Sequence, residues 1–260
     1  MVDFVLVAGA RLGAWAWDDV VPRLRAAGHG VHPLTLSGLA DKRGVPAGQR
    51  THVQDIVDEA ERHDLRDVVL VGHSYSGIPV GQAAQRIGDR LAHVVFVDSS
   101  VPADGEAFVS AWPDGGAQMR ALIAENGGFW PVAPAAHFDG HGLTDEQIAR
   151  ITAGSTPHPG ATLTEPAVLP RPLDELPATY ILCLLAGAEP SGDVAELLAV
   201  GTGGWSRWTP ATGPCSPSHA NWRGSSSKRP RTDSGHPFAG RLRRRGPGPR
   251  RRGGGVCAGP

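Results

Sequence analysis

"DVVLVGHSYSGIPVG", residues 67–81, changes character at its centre. Residues 68–71 form an unbroken aliphatic run, the composition of a strand buried on both faces. Gly72 ends the run, and "GIPVGQAAQRIGDRL" (77–91) resumes with helical apolar spacing. A serine held between such a strand and helix sits on a tight, strained turn with its hydroxyl exposed, and small neighbours are required beside it. Ser74 is that residue. The helix behind it aims backbone N–H groups and the positive end of its dipole at a developing oxyanion, with Tyr75 N–H as one donor. The loop after the first strand, "AGARLGAW" (8–15), offers Ala10 N–H as the other. The pattern departs from strict G-x-S-x-G, because Ser76 holds the last glycine position and Gly77 follows.

Around this stretch, "FVLVAG" (4–9), "VHPLTL" (31–36) and "HVVFVDSS" (93–100) read as further strands. "AWDDVVPRLRAAGHG" (16–30) places Val20, Val21, Leu24 and Ala27 at helical spacing and stops at Gly28. "THVQDIVDEAERH" (51–63) gathers Val53, Ile56, Val57 and Ala60 on one helical face. Alternating buried strands and amphipathic helices predict an α/β domain, with a mostly parallel sheet covered by helices on both faces. From about 102 to 176 the pattern loosens into helical pieces, "EAFVSAWPDGGAQMRALIAENGG" and "TDEQIARITAG", joined by Pro and Gly. This reads as a helical cap inserted over one end of the sheet. "ATYILCLLAG" (178–187) returns as a strand and "DVAELLA" (193–199) as a helix.

The net charge of −1 over 260 residues conceals a split. Residues 201–260 carry 12 of the 25 basic side chains and one acid, Asp233. Their Arg, Gly and Pro content predicts a disordered basic tail after an ordered α/β body at 1–200. Such a tail binds phosphate through charge alone, and without aromatic interleaving or a fold motif it implies no specific nucleic-acid partner. No apolar run is long enough to span a bilayer, and "MVDFVLVAGA" lacks the basic start of a signal peptide. Cys183 lies in an apolar strand, while Cys215 and Cys257 lie in the tail. An odd, scattered set is not a disulfide framework, which predicts a buried structural thiol at Cys183 and a cytoplasmic protein.

In "FVLVAGARLGAWAW" (4–17), "PRLRAAGHGVHPLTLSGL" (22–39), "VGHSYSG" (71–77) and "VVFVDSSVPADGE" (94–106), the chain resembles the α/β-hydrolase superfamily, in its small esterase and hydroxynitrile-lyase branch. The resemblance implies a Ser-His-Asp triad, an oxyanion hole, a capped pocket, a small-molecule ester substrate and no cofactor. It leaves two other functions open, a lyase splitting cyanohydrins with the same residues and a non-catalytic binder using the pocket. Members usually carry His-Gly after the first strand, where Ala8-Gly9 stands here.

The triad does not close in the written sequence. The family acid follows the strand around "YILCLL", which points to about Ala186, where no carboxylate stands. Glu189, Asp193 and Asp98 are the substitutes, although the ordinary role of Glu189 and Asp193 is an acidic helix start. The family histidine follows one more strand, and residues 200–260 show neither that strand nor the helix after it. His219 and His236 are the tail's histidines, and a disordered tail does not hold an imidazole against Ser74. His73 is expected to shape the pocket, and His29, His32, His137, His141 and His158 to be solvated or structural. Read one frame over, however, codons for Trp208 and Thr209 force Asp. Those for Ala211 to Cys215 are compatible with Gly-His-Trp-Pro-Met, the family's histidine loop. The expectation is a frame slip near residues 198–204.

Overall fold

In the computed structural model, residues 1–183 and the backbone of residues 206–208 are described. Along the chain run β1 (Asp3–Val7), α1 (Val21–Ala26), β2 (Gly30–Leu34), α2 (Gln49–Arg62), β3 (Val68–His73), α3 (Gly77–Ala84) and β4 (Leu91–Val97). The segment predicted as a cap holds α4 (Ala117–Glu125), β5 (Phe129–Trp130), α5 (Asp145–Gly154), β6 (His158–Pro159) and α6 (Ala161–Thr164). The chain then returns to the sheet through β7 (Ala178–Ile181) and β8 (Ser206–Trp208). The described residues all fall within one compact unit, Met1–Arg223.

Six strands form one sheet in the order β2-β1-β3-β4-β7-β8, and every pairing is parallel. The period-2 alternation of side chains divides the core. Val5 and Val7 face one side with Leu70, Val94 and Phe96, where Ile56 and Val57 of α2 and Val80 and Ala83 of α3 cover them. Leu6 and Ala8 face the other with Val71, Val95 and Val97, covered by Trp17, Val20 and Leu24. The predicted sheet with helices on both faces is therefore present. Pro33 fits because β2 is an edge strand, where a missing N–H costs no ladder bond.

Three features differ from expectation. A strand does follow residue 200: β8 pairs with β7 through Thr179–Ser206, Tyr180–Arg207 and Ile181–Trp208. Ser-Arg-Trp carries no apolar period to announce it, and a backbone ladder at a sheet edge needs none. That edge of β7 is consequently paired. The cap also contains a two-stranded antiparallel ribbon, β5 with β6, too short for any sequence period to betray. Finally, Cys183 is disulfide-bonded rather than a free thiol, with its partner outside the described residues. Structural disulfides belong to oxidising compartments, which removes the cysteine argument for a cytoplasmic protein. Among the described residues, no helix is long and apolar enough to cross a membrane. The helix expected at 193–199 and the predicted disordered tail, apart from the β8 residues 206–208, lie outside them.

Candidate active site

The turn after β3 holds Ser74 at φ 54°, in the left-handed region that a side chain enters only under strain. The surrounding packing accounts for it. A Cβ on Gly72 would stand 3.1 Å from the Gly77 backbone, and one on Gly77 would stand 2.1 Å from Ser100 O. Ser100 N–H in turn donates to Ser74 O at 3.2 Å, tying the turn to the end of β4. Ser76 is more than a tolerated departure from glycine. Its buried hydroxyl accepts from His73 N–H at 2.8 Å and lies 2.8 Å from Val7 O, to which it can donate, bracing the turn against β1. Gly77 supplies the close approach, so Gly77→Ala should cost about 1–3 kcal/mol by overpacking. Urea denaturation of the variant checks this.

A cavity of about 310 Å³ opens above the turn. Ser74, Ala10, His73 and Asp98 line its floor, and Trp130, His137, Phe138 and His141 of the cap line it from above. Of the acid candidates, only Asp98 is brought to this cavity; Glu189, Asp193, Ala186, His219 and His236 lie outside the described residues. Asp98 sits at φ 42° directly after β4, with its N–H donating to Ile181 O at 2.8 Å. Partial burial raises its carboxyl pKa, against which the Cys183 backbone N–H pulls downward by hydrogen bonding. His73 also stands beside the serine. Its Nδ1 is shielded and unpartnered, and burial pulls its pKa down to about 4. A Cβ on Gly9 would meet His73 Nδ1 at 3.0 Å and Ser74 Cβ at 3.1 Å, so this loop presses directly on the serine. No hydrogen bond joins Ser74 to a histidine among the described residues.

Ala10 N–H has no acceptor among the described residues. Tyr75 N–H lies in the first turn of the helical segment, where N–H groups have no intrahelical acceptor. The Tyr75 side chain points away into a buried network: its hydroxyl lies 2.9 Å from His52 Nδ1 and 2.8 Å from Gln49 Oε1. His52 Nε2 donates to Ser37 O at 2.8 Å, so its Nδ1 accepts from Tyr75. Turning the Gln49 amide so that it donates to Tyr75 gives its otherwise orphaned nitrogen a partner. His158 of β6 packs at 4.6 Å from the Tyr75 ring; its Nδ1 accepts from Arg11 N–H at 3.0 Å and its Nε2 meets Thr162 Oγ1 at 2.8 Å. His158 is thus structural, as expected, whereas His137 and His141 face the pocket. A solvated or structural role was expected for those two as well; their four-residue spacing in "HFDGH" is the signal for the pocket.

A comparison with protein-family models matches residues 4–240 to the alpha/beta hydrolase family. The chain belongs to that family. Among curated proteins it is similar to the carbendazim hydrolyzing esterase of a Nocardioides species, 36% identical over 116 residues, covering 44% of this chain and 48% of that protein. It is also similar to esterase PIR7B of Oryza sativa, 37% identical over 113 residues and covering 40% of each. The chain thus spans less than half the length of these two esterases. An extracellular alpha/beta-hydrolase from a Paenibacillus species superposes with a TM-score of 0.69 at 22% identity, over 80% of this chain and 90% of that one. That likeness extends the shared fold well beyond the segments of close sequence similarity.

Proposed function

We propose that this alpha/beta hydrolase cleaves small carboxylic esters through an acyl-Ser74 intermediate. The observation that carries the reading is Ser74 itself, strained at φ 54° and lining a capped cavity with Ala10, whose N–H has no acceptor among the described residues. Ser74 Oγ would attack the ester carbonyl, the alcohol would leave, and water would release the acid. Tyr75 and Ala10 N–H groups would hold the oxyanion of each tetrahedral intermediate. Asp98 is the acid we assign, because it lines the same cavity and can orient an imidazole there. The two curated relatives are named as esterases, which supports the same class.

The base is the missing member. A serine without an adjacent imidazole is a poor nucleophile, and the position at which the family supplies one is compatible with Gly-His-Trp-Pro-Met only off-frame. The written chain should therefore turn over esters slowly, with residual catalysis from the oxyanion hole. Peptide mapping of the natural protein across residues 195–225 tests this directly. Peptides carrying Gly-His-Trp-Pro-Met would mean that the natural protein has a complete triad. Peptides reading Thr-Pro-Ala-Thr-Gly-Pro-Cys, combined with rapid hydrolysis of p-nitrophenyl acetate, would overturn the slow-turnover reading.

A further inference from the structure

The cavity contains a cation that no described carboxylate neutralises. Arg150, also on its wall, is paired with Asp18 at 2.9 Å and Asp19 at 3.4 Å. Arg11 has no such partner within ion-pair distance among the described residues, and its buried Nε has no acceptor. Its guanidinium instead lies 3.5 Å from the centroid of the Trp130 ring, which fixes its plane. The backbone beneath is equally constrained. Arg11 stands at φ 70°, donates to His158 and accepts from Thr156 N–H at 2.9 Å. Burial lowers its pKa only to about 10, so it is charged at neutral pH.

A guanidinium held rigidly against a cavity and left without an anion is costly unless a ligand supplies one. Its planar fork matches a carboxylate with two parallel hydrogen bonds. A phosphate dianion fits less well, since Asp19 and Asp98 line the same cavity and would repel a second negative charge. We propose that Arg11 recognises a free carboxylate on the substrate, so that the pocket takes short hemiesters of dicarboxylic acids. The word hemiester rests on the hydrolase reading; the carboxylate site does not.

The test is calorimetric titration of the full chain carrying Ser74→Ala with monomethyl glutarate and with its neutral primary-amide analogue. The hemiester should bind roughly tenfold more tightly, as charged hydrogen bonds do over neutral ones. The preference should shrink with added salt, vanish in Arg11→Gln and survive in part in Arg11→Lys. Equal binding of the two ligands, a preference that persists in Arg11→Gln, or binding of neither would overturn the proposal. Turnover by the unmutated chain separates the two readings. Selective binding without even the slow turnover expected of a serine lacking its base would retain the carboxylate site and remove the hydrolase, whereas cleavage of neutral esters without selectivity would do the reverse.

Discussion

Ser74→Ala is expected to abolish covalent labelling by a fluorophosphonate and to reduce ester turnover to a small residue in any form of the chain that turns esters over. With a complete triad the loss should be on the order of 10³-fold or more in kcat, because nucleophile and base act as a unit. Intact mass after labelling reads the first effect, and initial rates read the second. Ser74→Gly should be equally inactive yet more stable. Glycine occupies φ 54° without the penalty that serine carries there, a gain of about 1 kcal/mol. Opposite signs for activity and stability in one variant would distinguish a strained nucleophile from a serine that merely fills a turn. Retained labelling in Ser74→Ala would remove the proposed mechanism.

The second large effect is loss of stability in mild acid. His52 and His158 are fully buried, and burial, the largest cause at both, pulls the pKa of His52 down to about 4 and that of His158 well below its ordinary value. Both are neutral in the folded chain at pH 7, while in the unfolded chain they protonate near pH 6.5. Below pH 6.5 the unfolded state therefore binds protons that the folded state refuses, and stability falls until the folded pKa values are reached. For His52 this amounts to about 2 kcal/mol at pH 5. Protonation at Nδ1 would also set its N–H against the Tyr75 hydroxyl proton it now accepts. With His158 acting in the same direction, Tm should drop by roughly 10 °C between pH 7.5 and pH 5. Differential scanning calorimetry across that range checks it, and His52→Gln should flatten the slope. An unchanged Tm would mean that the network protonates without cost.

Most of the sheet was legible because its strands are buried on both faces and read as unbroken aliphatic runs, as residues 68–71 do. The serine was legible because strand, glycine and helix flank it in fixed order. What escaped reading depends on contacts between distant segments. Nothing near "HFDGH" indicates that the cap folds His137 and His141 back over Ser74. Arg11 stands one residue after the expected oxyanion donor, yet its lack of a counter-ion among the described residues appears only once the fold brings distant segments around it. Ser76 looked like a tolerated glycine substitute because its bond to Val7 spans 69 residues. The disulfide at Cys183 was invisible because spacing carries no signal for a single scattered pair.

The segment above the pocket is fastened to the loop beneath it at more than one point. Arg11 is bonded through its backbone to both His158 and Thr156, the Thr156 hydroxyl accepts from Ala40 N–H at 3.0 Å, and Glu165 accepts from Gln49 N–H at 2.7 Å. Ala10, the proposed oxyanion donor lining the same cavity as Ser74, is the residue next to Arg11. Grafting a foreign segment onto this scaffold to change specificity would therefore shift the floor of the pocket along with its ceiling. A chimera that keeps residues 155–165 together with residues 8–13 would preserve the joint only if it also kept Trp130 against Arg11, the pairing of Phe129 and Trp130 with Pro159 and His158, and Arg150 against Asp18 and Asp19.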